Sequence, residues 1–209
     1  MSLITVLLSA HNEERHIGKA IESILNQSFT DWELWIIADN CTDKTSEIAE
    51  TYADKDHRIK LFTETYGNLG AVLSAYGDRV ESKYIARMDA DDIAYPNRFQ
   101  VQVDFMQKNP DIVVSGSQVR FIDSEGWPFS ISKNKTSNSE IYDQLLTGRG
   151  GSIFHPTAII RTDALKKVGG YDKRFKRGQD FDLYLKLSEV GKLANIDVVL
   201  LDFRKHENS

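Results

Sequence analysis

From residue 4 to residue 88 the chain repeats one pattern, a short apolar run followed by a stretch with apolar residues at helical spacing. Residues 4–9, 34–38, 59–62 and 84–88 are the runs, too short for helices and rich in Ile, Leu, Val, Trp and Tyr. Ile17, Ile21, Ile24 and Leu25 share a face after the first run. Ile48, Ala49 and Tyr52 do so after the second, with Asp43 placed to cap that helix, and residues 69–76 follow the third. Strands alternating with helices predict an α/β fold, a Rossmann-like and mainly parallel sheet flanked by helices.

Beyond residue 92 the pattern continues and then loosens. Phe99, Val103 and Met106 recur at helical spacing until Pro110 stops the helix. A strand over 112–115 precedes a polar loop, 124–138, too long for a simple connection. Ser137 and Glu140 form a capping box for a short helix through residue 146. A strand over 157–160, a helix capped by Thr162 and running to residue 168, an amphipathic helix over 181–187 and a final strand over 198–203 complete the reading. No repeat, low-complexity segment or linker interrupts it, so residues 1–209 are expected to form a single domain.

The fourth strand ends in Asp89, Ala90, Asp91 and Asp92, three carboxylates within four residues. Open α/β sheets bind ligands at the carboxyl ends of their strands. Neighbouring carboxylates repel one another, and oxygen-rich sites suit hard divalent cations such as Mg²⁺ or Mn²⁺. Asp89 and Asp91 leave an extended segment on one face; Asp92 points elsewhere, toward capping the helix that begins near Pro96.

Composition narrows the function classes. A net charge of −5 supplies no general field for a nucleic-acid backbone, so nucleic acid is not an expected partner. The single cysteine, Cys41, cannot form an internal disulfide, which fits a reducing, cytoplasmic setting. The chain lacks a run of 18 apolar residues, and its apolar start has no basic leader, so any work at a membrane is peripheral, at the inner face. Three tripeptides beginning at Asn26, Asn40 and Asn134 match the glycosylation acceptor pattern, which matters only in secreted chains.

Seven ordered blocks resemble the family 2 glycosyltransferases of GT-A fold. They are Ser9-Ala10-His11-Asn12-Glu13-Glu14, residues 21–29, residues 35–45 with Asp39, Asn68-Leu69-Gly70, residues 84–92, residues 155–161 with 168–172, and Gly178-Gln179-Asp180-Phe181-Asp182-Leu183. The resemblance implies an inverting transferase that moves a hexose from a UDP-sugar to a hydroxyl of a glycan, lipid-linked or small-molecule acceptor. Residues up to about 115 would bind the donor, and about 116–209 would serve the acceptor and catalysis. In the family the acid matching Asp39 accepts the imide N–H of uracil, a task for a group that only accepts. His11, Asn12, Glu13 and Ala90 fall in donor-binding blocks, Asp91 matches the main metal ligand, and Asp89 matches the acid at the ribose or the metal shell. Asp180 matches the general base, which takes the acceptor's proton as its oxygen attacks the anomeric carbon. His155 and Gln179 would line the acceptor side, and His206 matches a further metal contact. Arg87 reads as a cation pairing with an acid, and residues 148–151 as a mobile lid.

Three positions depart from the family pattern. His11 replaces a tyrosine beside the uracil, Ala38 the first acid of a pair, and Gln179 a glutamate next to the base. Losing that neighbouring negative charge lowers the proton affinity of Asp180 and weakens it as a base. Two other classes remain open: a GT-A-like nucleotidyltransferase, which would need a glycine-rich basic loop where residues 11–14 are acidic, and a nucleotide-binding module without catalysis.

Overall fold

A computed structural model describes residues 2–148 and 150–205. The first half follows the repeat. β1 (Ile4–Ala10), β2 (Trp32–Asp39), β3 (Ile59–Glu64) and β4 (Tyr84–Asp89) pair in parallel, joined by α1 (Ile17–Leu25), α2 (Thr45–Ala53) and α3 (Leu69–Gly77). Their order is β3-β2-β1-β4, so the chain winds outward from β1 and then crosses back to lay β4 on the other side of it. The two windings put α1 and α2 on one face and α3 on the other. Val6 and Leu8 of β1 accordingly pack in one core with Ile17, Ile21 and Ile24, while Leu7 packs in the second with Val72, Leu73 and Tyr76. The side chains on both faces of a doubly covered strand are mostly apolar, which is why these strands read as near-continuous runs.

The second half contains β5 (Ile93–Ala94), α4 (Arg98–Lys108), β6 (Ile112–Ile122), β7 (Pro128–Ile131), α5 (Asn138–Leu146), a 3₁₀ turn (His155–Thr157), β8 (Ile159–Arg161), α6 (Thr162–Lys167), α7 (Gln179–Ser188) and β9 (Lys192–Arg204). It extends the sheet as β8-β6-β9-β5, with β7 attached to β6. The parallel arrangement holds through β4; β8 is antiparallel to β4 and to β6, while β6 and β9 run parallel.

Several boundaries differ from the sequence reading. β6 runs to Ile122 rather than stopping near residue 115, and β9 begins at Lys192 rather than 198. Both contain polar residues that look like strand ends but are buried and bonded: the Gln118 Oε1 accepts from Ser132 Oγ at 2.7 Å, and Asn195 Nδ2 donates to the Ser152 carbonyl at 2.7 Å. The 124–138 segment is not all loop, since β7 lies inside it. Residue 157 belongs to the 3₁₀ turn rather than to a strand. Thr162 does not cap α6; it is the helix's first residue, and its hydroxyl is buried without a partner. Asp92 does not cap α4 either, because it turns inward and its Oδ1 accepts the Arg204 amide at 2.8 Å. The Ser137 cap forms as expected, accepting from the Glu140 amide at 3.4 Å; Asp43 instead precedes the N-cap Lys44, and its Oδ1 accepts the Thr45 amide at 2.9 Å. Among the described residues no helix is long and apolar enough to cross a membrane.

Candidate active site

The winding reverses between β1 and β4, so the loops leaving those strands diverge and open a crevice at their carboxyl ends. A cavity of about 420 Å³ occupies it, walled by Ala10, His11 and Glu13 after β1, Asp39 and Asn40 after β2, Gly67 to Leu69 before α3, and Asp89 to Asp91. Asp39 is buried, and its two oxygens accept the Tyr66 and Gly67 amides at 2.6 and 2.8 Å. Gly67 has φ 76°, which lets the loop bring both amides to one carboxylate. Each oxygen keeps a further lone pair for a ligand. His11 Nδ1 donates to the Asp39 carbonyl at 2.7 Å, which fixes the ring at the cavity wall.

Asn12, expected to bind donor, lies outside this cavity: with φ 55° it turns its Oδ1 to the Thr42 amide at 2.8 Å. Its role is to lace the β1–α1 loop to the β2–α2 loop. Glu13 does line the cavity, its amide anchored on Thr45 Oγ1 at 2.7 Å.

The three strand-end acids have three different environments. Beneath them sits the guanidinium of Arg87, fully buried, donating to the Leu7 and Met88 carbonyls at 2.6 and 3.0 Å and paired with Asp89. Arg98, equally buried, donates to the Arg87 carbonyl at 2.8 Å; burial pushes its own proton affinity down to about 9. Asp92 is buried, and desolvation with the negative charges of Asp91 and Asp89 pushes its carboxyl well above the usual range. Asp89 is also raised, by burial first and then by Asp91 and Asp180, against the pull of Arg87. Asp91 faces the cavity while Arg204 Nε holds its carbonyl at 2.9 Å. Asp89 and Asp91 thus share a face, and Asp92 leaves it.

Among the described residues no three His, Cys, Asp or Glu side chains could hold a metal ion by themselves. Asp91 and the Asp89 oxygen not bonded to Arg87 still offer carboxylate oxygens in a cleft with surplus negative charge. That suits Mg²⁺ or Mn²⁺ held by one or two carboxylates with ligand phosphates completing the shell. His206 lies outside the described residues.

A second cavity, of about 380 Å³, is lined by Gly148, Gly150, Gly151, Phe175, Arg177, Asp180 and Tyr184. Asp180 stands in the first turn of α7 behind Gly178, whose φ of 74° starts the helix, and its carboxylate makes no hydrogen bond among the described residues. Its charge is felt at Asp89, at Tyr171 and at Tyr184, which brings residues far apart in sequence into one electrostatic neighbourhood. Asp182 turns away to pair with Lys186 at 2.8 Å. Gly70 packs under the 172–175 loop, its missing side chain leaving room for the Phe175 and Asp172 carbonyls. His155 corrects the expectation of an acceptor contact: it is buried, its Nε2 bonds the Tyr171 hydroxyl at 2.8 Å, and it lines neither cavity. Gln179 is likewise buried and lines neither.

The family model for glycosyl transferase family 2 matches residues 5–169. The chain belongs to that family. The O-antigen biosynthesis glycosyltransferase WbnJ of Escherichia coli is 30% identical over 214 residues, covering 100% of this chain and 82% of that protein. An uncharacterized glycosyltransferase of Methanocaldococcus jannaschii is 34% identical, covering 97% of this chain and 70% of that protein. The fold is that of TarS 1-349 from S. aureus in complex with UDP-GlcNAc, with TM-score 0.79 and 21% identity, and of the Pyrobaculum calidifontis mannosyltransferase PcManGT with GDP-Man and Mn²⁺, with TM-score 0.74 and 13% identity. It covers 100% and 97% of this chain but spans only 60% and 56% of those two. This family 2 glycosyltransferase is a GT-A enzyme domain. Sequence reasoning missed the wall formed by Asn40, Gly67 and Leu69, although the Asn68-Leu69-Gly70 block was a signal, and it missed Arg177 and Tyr184, whose neighbourhood only the packing of α7 reveals.

Proposed function

We propose that this glycosyltransferase transfers a hexose, with inversion, from a UDP-sugar to a hydroxyl of a glycan or lipid-linked acceptor. The observation that carries the proposal is the free carboxylate of Asp180 facing a cavity of its own while its charge reaches Asp89 at the first. A leaving diphosphate and an acceptor hydroxyl require that separation. The first cavity takes the nucleotide: Asp39 presents an acceptor suited to the imide N–H of uracil. Asp91, with Asp89 in support, would hold Mn²⁺ or Mg²⁺, which would supply charge compensation for the diphosphate. Asp180 takes the proton of the acceptor hydroxyl as its oxygen bonds to the anomeric carbon, and the bond to the UDP oxygen breaks on the opposite side. Residues 1–115 form the donor half and 116–209 the acceptor half. TarS, complexed with UDP-GlcNAc, and WbnJ, named for O-antigen biosynthesis, support a UDP-sugar donor and a glycan acceptor.

A thermal-shift panel of UDP, GDP, CDP and dTDP sugars, with and without Mn²⁺, tests the donor assignment. The largest stabilisation is expected for a UDP compound with metal, and none for Asp91→Ala. Hydrolysis of that UDP-sugar is expected in the wild type and reduced about 10²–10⁴-fold in Asp180→Asn. A metal-independent preference for another nucleotide, or full activity in Asp180→Asn, refutes the assignment.

A further inference from the structure

The segment from Asp172 to Arg177 carries Lys173, Arg174, Lys176 and Arg177 in a protein whose net charge is −5. One of these cations is already used: Arg174 forms a bidentate pair with Asp172, at 3.0 and 2.6 Å. Lys186, on the neighbouring helix, is used as well, by Asp182. Lys173, Lys176 and Arg177 are exposed and make no ion pair among the described residues, and Arg177 lines the second cavity beside Asp180. The loop packs against α3, where the Asp172 and Phe175 carbonyls occupy the space a side chain at Gly70 would need.

A second observation points to a ligand at the same place. Tyr184 is 1% exposed, lines this cavity, and its hydroxyl has no hydrogen-bond partner among the described residues. Burial and the nearby Asp180 charge keep that hydroxyl protonated, hence a donor. A buried donor without a partner is rare, and a ligand oxygen would satisfy it. Phe175 and Phe181 add apolar ring surface, and a volume of about 380 Å³ accommodates a monosaccharide.

We propose that this cavity receives an anionic acceptor, a sugar bearing a phosphate or carboxylate, with Arg177 and its neighbours Lys173 and Lys176 holding the anion and the Tyr184 hydroxyl donating to a sugar oxygen. The proposal rests on the reading of Asp180 as the base: one carboxylate alone would repel such a substrate, whereas Arg177 in the same cavity wall, with Lys173 and Lys176 on its loop, offsets the repulsion and orients the neutral hydroxyl toward Asp180. Guanidinium suits both anions because it bonds their oxygens in bidentate fashion.

The test is a ligand-binding titration of the full chain followed by NMR of ¹³C-labelled tyrosine, with glucose, glucose 1-phosphate and glucuronate as probes in the presence of UDP and Mn²⁺. Both anionic probes are expected to bind at least tenfold more tightly than glucose and to shift the Tyr184 ring signal. Arg177→Gln is expected to remove about tenfold of that preference without changing the apoprotein melting temperature, since Arg177 is exposed. Lys173→Gln combined with Lys176→Gln should remove a further few-fold, and Tyr184→Phe should weaken the anionic probes and glucose alike. Asp91→Ala is expected to lose UDP binding while keeping the anion preference, so failure of the donor assignment is separable from failure here. Equal affinity for glucose and glucose 1-phosphate overturns the proposal, as does displacement of the sugar phosphate by UDP, which would seat the anion in the first cavity. Binding of the loop cations to vesicles of phosphatidylcholine with phosphatidylglycerol, in place of the sugar anions, would make the loop a membrane contact and also overturn it.

Discussion

Replacing Asp89 and Asp91 separately by Asn tests the division of labour among the strand-end acids, because the two changes are chemically identical and the surroundings are not. Arg87 is fully buried, with three acceptors, the Leu7 and Met88 carbonyls and Asp89, and its Nε has no partner. Removing one member of a buried ion pair costs about 3–5 kcal/mol, since the other charge stays buried and unpaired. Here an amide oxygen still accepts, two carbonyls remain, and the Asp89 side chain is 32% exposed, which argues for about 2–3 kcal/mol. For a domain of this size that corresponds to a fall in melting temperature of about 5–10 °C. Asp91→Asn removes a charge that repels Asp89, so its stability should change by no more than about 0.5 kcal/mol. Scanning calorimetry at pH 7.5 without metal measures both, and repetition with UDP and Mn²⁺ should raise the melting temperature of the wild type but not of Asp91→Asn. Equal losses in the two variants, or a wild-type melting temperature for Asp89→Asn, would refute the claim that Asp89 is the acid that neutralises Arg87.

Burial holds His155 well below its ordinary value, with the Arg87 charge adding to the effect. Above about pH 6.5 the folded and unfolded chains both carry it neutral, but as pH falls below that point only the unfolded chain takes up the proton. Stability should therefore drop by about 1.4 kcal/mol between pH 7.5 and 5.5 through this group, and thermal melts of His155→Gln over that range should lack the corresponding decrement. Gly70→Ala drives a Cβ into the Phe175 carbonyl and against the Asp172 carbonyl at 3.2 Å, so the 172–177 loop must shift. Transfer to acceptor should fall about 10–100-fold, with little loss of UDP binding. As a control, Gly18→Ala in α1 meets only Tyr52 Oη at 3.4 Å and Ile48 at 4.0 Å and should stabilise by about 0.5–1 kcal/mol in denaturant titration. Equal transfer by Gly70→Ala and Gly18→Ala would show that the loop position does not matter.

The local chemistry of the chain determined the parallel half of the sheet. Strands buried on both faces are mostly apolar, so β1, β2 and β4 announce themselves although β4 buries Arg87, and the acids at the end of β4 announce the crevice. The cap at Ser137, whose partner lies three residues on, was equally legible. Tertiary structure decided everything that depends on a distant partner. Asp92 and Thr162 have the chemistry of caps, yet one accepts from Arg204, more than a hundred residues away in sequence, and the other turns inward. β6 and β9 hide their length because Gln118 and Asn195 find polar partners from other segments. His155 pairs with Tyr171, while Arg177 and Tyr184 gained significance only when α7 packed against β6 and β9. A sequence records which groups a residue can offer; whether the offer goes to solvent, to a neighbour or to a ligand depends on what the fold brings within about 3 Å of it.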